Sequence, residues 1–232
     1  MVTASALAAN CGHPRALSKI TPRSANAQAA MAKGNLFHLA VEDWAKAGAI
    51  PDVADDEVRG WLELLAMTWA PSASMRFEMA LGLSPLGQHV EVDEPEPHVY
   101  VPRGGGELLT AGRADCVHVI DVGPRIVHVK DWKTGKYAVT PATRNLQLSA
   151  LALAAADLFG SDGFVREIYY ARDGYTDRDH EPVMMDSPEA ADAWSMVLLA
   201  AQLDDAPRPG PWCQPCWERR TKRCKHAQET TT

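Results

Sequence analysis

The chain has 232 residues, 46% of them hydrophobic, enough to bury one sizeable core, so a single domain over 1–232 is expected. No run approaches the eighteen or so apolar residues of a membrane span, and the opening Met-Val-Thr-Ala-Ser has no basic segment leading into an apolar one. A soluble cytoplasmic protein with no membrane partner is therefore expected. The net charge of −7 is unevenly spread: Met1–Ala40 carries Arg15, Lys19, Arg23 and Lys33 and no acid, and Pro207–Thr232 carries six basic residues against Glu218 and Glu229. An acidic body with basic ends still holds phosphate locally, because exposed charges are screened beyond about 10 Å; the ends read equally well as solubilising tails.

In chain order, Ser24–Gly48 reads as a helix that Ser24 caps and Gly48 ends. A second helix is predicted over Asp55–Trp69, where Val58, Trp61, Leu62, Leu65 and Trp69 form an apolar stripe. The period then shortens, and strands are predicted over Met75–Leu83, Val99–Pro102, Leu108–Val122 and Arg125–Trp132, with Gly104-Gly105-Gly106 as a loop. Thr140 and Pro141 open a helix to about Phe159, Val165–Arg172 returns as a strand, and Ser187-Pro188-Glu189 starts a last helix to about Leu203. Helices mixed with strands in this order predict an α/β (α+β mixed) fold.

The strands Leu108–Val122 and Arg125–Trp132 are joined through Val122-Gly123-Pro124. A turn centred on Gly123 places residues whose numbers sum to 246 opposite one another. Asp115 then faces Asp131, with Cβ atoms roughly 5 Å apart, and Lys133 projects to the same face together with Val117, Val119, Val127 and Val129. Two carboxylates on an apolar face are reasonable only if a cation sits between them or one takes a proton. A hard, oxygen-preferring ion such as Mg2+ or Mn2+ fits best. The plainer reading is a hairpin with surface acids paired to Lys133 or Arg113. His118 and His128 oppose each other on the other face, where no third ligand is apparent, and read as a sheet-face pair. Cys116 reads as a small packed residue, and Glu78, within a strand, as a weaker candidate for a metal or water contact.

Gly112-Arg113-Ala114-Asp115, then Asp131-Trp132-Lys133-Thr134-Gly135, then Gln147 in the following helix, resemble the motifs of the RecB-like PD-(D/E)xK nucleases. The resemblance spans roughly Ala29 to Leu153. It implies that restriction-endonuclease-like core fold, a central mixed sheet flanked by helices, and a metal-dependent DNA exonuclease, with His38 of Gly34-Asn35-Leu36-Phe37-His38 as the helix-borne histidine. Ala114 stands where the family name has proline, and Leu151 where a tyrosine often follows the glutamine. By this resemblance His38, Asp115, Asp131 and the Trp132 backbone carbonyl hold the metal. Lys133 orients or deprotonates the attacking water, Gln147 positions water or the DNA backbone, and Arg144, Lys136 and Arg113 meet DNA.

Five cysteines without an export signal argue against a disulfide framework and for metal binding. Cys11 together with Cys213, Cys216 and Cys224 resembles the iron-sulfur branch of these enzymes, similar to the fourth CRISPR-associated (Cas) nuclease and AddB. That implies a 4Fe-4S cluster joining 1–23 to 207–226, before a disordered tail at 227–232. The local alternative is Zn2+ at Cys213, Cys216, Cys224 and His226. Implied partners are single-stranded DNA and recombination or CRISPR-adaptation proteins. The competing function is a non-catalytic DNA-binding or scaffold protein with the same fold.

Overall fold

The structure is a computed structural model and describes residues 2–3, 25–96, 98–136 and 139–202. Helices α1 (Ala25–Ala47) and α2 (Asp56–Ala66) follow a two-residue strand β1 (Val2–Thr3). Next come β2 (Met75–Leu83), β3 (His89–Val90), β4 (Val92–Glu96), β5 (Val99–Pro102), β6 (Thr110–Asp121) and β7 (Arg125–Lys133). A 3-10 turn at Ala142–Arg144 leads into α3 (Leu146–Phe159), β8 (Gly163–Tyr170), β9 (Tyr175–Arg178), β10 (Val183–Met184) and α4 (Pro188–Gln202). The main sheet runs β10-β8-β7-β6-β2-β3, with β1 against β6 and β9 against β8, while β4 and β5 form a separate hairpin. Only β7–β8, bridged by α3, and β1–β6 pair in parallel, so the sheet is mixed as expected. Among the described residues no helix is long and apolar enough to cross a membrane.

Each face of the sheet has its own core. On one side α3 and α4 cover Leu81, Leu83, Val117, Val127, Val129, Phe164 and Ile168. α3 is so densely covered that every residue from Leu148 to Ala156 is buried, which its alanines permit by letting sheet and helix approach closely. On the other side α1 and α2 cover an aromatic core in which Phe37, Trp61, Trp69, Trp132 and Tyr169 meet edge to face. β8 is buried along all eight residues because helices lie over both its faces.

Helix ends follow from side-chain caps. Asp55 accepts from the N–H groups of Glu57 and Val58, starting α2, which stops at Ala66; Trp69 packs from beyond the helix end. α3 begins later than Pro141 suggests, because Asn145 caps the N–H of Leu148 at 3.1 Å and a 3-10 turn occupies the residues before it. It ends at Gly160, whose φ of 55° a β-carbon would disfavour. The strands β1, β3, β4, β9 and β10 are absent from the sequence reading. Four of them are two or four residues long, too short for an alternation to register.

Candidate active site

The hairpin register sets the site. All six β6–β7 pairs, from Asp121 opposite Arg125 to Cys116 opposite Lys130, obey the predicted sum about Gly123. There the ladder stops. β6 continues beside β2 as far as Thr110, and β7 continues beside β8 as far as Lys133, so the sheet splits into two branches at Asp115 and Asp131. One hydrogen bond spans the opening: the Trp132 N–H donates to Asp115 Oδ2 at 2.6 Å.

One part of the expected face requires correction. Met75 and Phe77 pack with the aromatic core, whereas Met79 belongs with Leu81 and Leu83 on the opposite face, so the alternation of β2 resets at Glu78, whose φ is +50°. β6 resets beside it: Ala114 and Val117 share one core, which an unbroken two-residue alternation forbids. Asp115 therefore does not simply share the face of Val117 and Val119. It sits where both strands turn over, which lets groups from the two faces of the sheet meet. Asp131 and Lys133 keep the expected phase, because the Trp132 between them is locked into the aromatic core.

α1 brings His38 to the split. Phe37, Ala40, Val41 and Trp44 bury the helix, and Gly34 allows its close approach: a β-carbon there would lie 2.8 Å from Thr134 Oγ1. His38 Nδ1 stands 3.5 Å from Glu78 Oε1 and 3.8 Å from Asp115 Oδ1. His38, Glu78 and Asp115 each offer a ligand atom, all within 4.8 Å of one another, the one such group of metal-ligating side chains among the described residues. Lys133 Nζ lies 2.6 Å from Asp131 Oδ2. Oδ2 is itself buried. Gln147, in the first turn of α3, lines the same cleft of about 500 Å³ from the other side. The Trp132 carbonyl belongs to the β7 edge facing the split, while its side chain is buried.

The electrostatics are those of a site with excess negative charge. Burial, and after it the Asp131 carboxylate, push Asp115 up to about 7 against the opposing pull of His38 and the Trp132 N–H. Burial works against a charged His38, but its hydrogen bond to Glu78 and the charges of Asp115, Glu78 and Asp131 raise it overall. Glu78 is lowered by His38 first and then by Arg113, against its own desolvation, which raises it. Lys133 is raised: Asp131 and Asp115 overcome its desolvation. An imidazole and several carboxylates fit a hard divalent cation, which would offset the burial and the Asp131 charge that raise Asp115.

Glu78 is thus a central member of the cluster. The sequence signal was its place as the one acidic residue in Met75–Leu83. Arg113 reaches Glu78 at 3.5 Å and also pairs with Glu94, so its guanidinium is committed to two acids. Glu94, His98 and Tyr100 of the β4–β5 hairpin line the cleft without any sequence signal having marked them. Arg144 and Lys136 are exposed and are not among the residues lining the cleft. His118 and His128 oppose each other, ring centroids 6.3 Å apart, and join no three-ligand group among the described residues. Cys116 is fully buried and its thiol is pushed up to about 12, chiefly by burial. Cys11, Cys213, Cys216, Cys224 and His226 lie outside the described residues.

The family model for the PD-(D/E)XK nuclease superfamily matches residues 13–221. No curated protein matches the chain. Among solved structures it is similar to one titled "Crystal structure of SSO0001", at 15% identity and a TM-score of 0.37, covering 74% of this chain and 71% of that one.

Proposed function

The chain belongs to the PD-(D/E)XK nuclease superfamily, a family of divalent-metal-dependent nucleases that hydrolyse phosphodiester bonds, and from that membership we propose a DNA exonuclease acting on single-stranded ends. The observation that carries the reading is the meeting of His38, Glu78, Asp115, Asp131 and Lys133 where the sheet splits. His38, Asp115 and Asp131, with Glu78 added by the geometry and the Trp132 carbonyl by the family motif, would hold Mg2+ or Mn2+. Such an ion neutralises charge on the phosphate and supplies a nucleophile at neutral pH.

The chain's own groups account for the remainder. Asp131 holds the Lys133 ammonium charged at the cleft, where it offsets negative charge developing on the phosphoryl oxygens and orients the attacking water. Trp132 N–H fixes Asp115, and Glu78 orients the His38 ring through Nδ1. Gln147 positions water or the DNA backbone from the opposite wall, and exposed Arg144 and Lys136 meet flanking phosphates. The basic ends of the chain add local attraction for a polyanion. A role in recombination, repair, phage DNA metabolism or CRISPR adaptation, in the cytoplasm, suits such an activity. Cys11, Cys213, Cys216 and Cys224 are a donor set suited to 4Fe-4S; iron and zinc analysis of anaerobically purified protein decides between that cluster and Zn2+ at Cys213, Cys216, Cys224 and His226.

The test uses oligonucleotides labelled at the 5′ or the 3′ end, single-stranded and duplex, with Mg2+, Mn2+ or chelator. The expected outcome is metal-dependent shortening from an end of single strands, lost by roughly a hundredfold or more in Asp131→Ala and Lys133→Ala, both still folded. Cleavage that survives both substitutions overturns the mechanism. Binding of DNA without any cleavage would put the non-catalytic reading in its place.

A further inference from the structure

We propose that Tyr175 is a stacking platform for an unpaired nucleobase, placed about three nucleotides from the scissile phosphate by the register of the sheet. The inference rests on the nuclease reading above for the identity of its polymer. Lys133 pairs with Tyr170 across β7–β8, and Tyr170 pairs with Tyr175 across β8–β9, so the three residues form one row and point to one face. The two tyrosine rings stack, centroids 5.9 Å apart and planes 22° from parallel. Tyr170 is only 8% exposed, and its hydroxyl accepts a hydrogen bond from the Val139 backbone, which fixes it as the base of the stack. Tyr175 is 58% exposed.

An exposed tyrosine on a strand edge is ordinary by itself. Here, however, it ends a row that begins at the lysine of the cleft. Two inter-strand steps separate the Tyr175 and Lys133 backbones by about 10 Å, close to three stacked nucleotides at about 3.4 Å each. Asp177, on the same strand as Tyr175, accepts from the Ala142 N–H at 3.0 Å, which ties β9 to the turn that carries Arg144. A base stacked on Tyr175 would thus have a cation nearby for its phosphate. Every base has a π-face, so such a platform binds single strands with little regard to sequence, and a paired base inside a duplex cannot reach it.

The experiment measures binding of labelled oligo-dT and of an abasic oligonucleotide of the same length, in chelator so that no cleavage occurs. Tyr175→Ala is expected to weaken oligo-dT binding roughly tenfold, to leave abasic binding within twofold, and to keep the wild-type Tm; Tyr175→Phe is expected to bind like wild type. A 2-aminopurine label should be quenched by the wild type and by Tyr175→Phe but not by Tyr175→Ala. Unchanged oligo-dT affinity in Tyr175→Ala, an equal loss on the abasic strand, or an equal loss in Tyr175→Phe overturns the platform. A wild type that binds but never cleaves would sink the nuclease reading and leave the platform standing.

Discussion

Two sets of buried or half-buried charge meet around β6, β7 and β8, and they are built on opposite rules. In the closed part of the sheet the buried charges Lys130, Glu167, Arg166 and Asp179 each have a counterpart. Lys130 meets Glu167 at 2.5 Å, and Arg166 meets both oxygens of Asp179 while donating to Ser149. At the split, Glu78, Glu94, Asp115 and Asp131 bring four carboxylates against Lys133, Arg113 and the His38 imidazole. Balanced ion pairs inside a fold hold structure, and removing one partner leaves an uncompensated charge. An unbalanced acidic cluster held apart by rigid strands opposes folding, and it is retained where a cation is to be held.

The largest effect expected from that contrast is on stability. Arg166→Met should destabilise the protein by about 3–5 kcal/mol, because it strands the Asp179 carboxylate in the core. Denaturant unfolding reads this directly. A loss well under 1 kcal/mol would show that the closed part of the sheet is not organised by its ion pairs.

The opposite sign is expected at the split. Asp115→Asn removes a carboxylate pushed up to about 7 by burial and by Asp131, so it should raise stability at neutral pH by on the order of 1–2 kcal/mol while abolishing Mg2+- or Mn2+-dependent cleavage. The pH dependence carries its own sign. An acid whose folded value lies above its unfolded one, near 3.8, binds more protons folded than unfolded between those values. Wild-type stability in chelator should therefore fall, relative to Asp115→Asn, as pH rises from about 4 to about 7. Parallel pH curves for the two proteins would remove the repulsion argument.

How much of this contrast was readable beforehand depends on chain distance. Asp115, Asp131 and Lys133 lie on two strands joined by a three-residue turn, so centring that turn on Gly123 was enough to place them. Glu78 reaches the site through the β2–β6 register, and Leu83 and Thr110 are joined by a long excursion through β3, β4 and β5 that no local turn rule constrains. Its positive φ, which turns both strands over, has no mark in the sequence, since glutamate is not a residue that favours it. The buried pairs were equally hidden: Lys130 and Arg166 look like solvent-facing strand residues until helices cover both sides of the sheet.

The smallest expected effect lies at the far end of the same hairpin, and it runs the other way with pH. His128 is lowered to about 4, first by burial and then by the Lys130 charge; Lys130 and Arg178 oppose its protonation, His118 adds to them, and Glu167 favours it. A base whose folded value is depressed binds fewer protons folded than unfolded between about 4 and 6.5, so its stabilisation is complete above 6.5 and is lost as pH falls towards 4. Because the ring is partly exposed, screening should reduce the effect to on the order of 1 kcal/mol. His128→Gln should flatten that acid limb of the stability curve and leave the Asp115 limb intact. With both substitutions present the two changes should add, since the paired and the split ends of the hairpin share no hydrogen-bond partner. Coupling well above about 0.5 kcal/mol would show that the closed ion pairs and the open cluster belong to one electrostatic network.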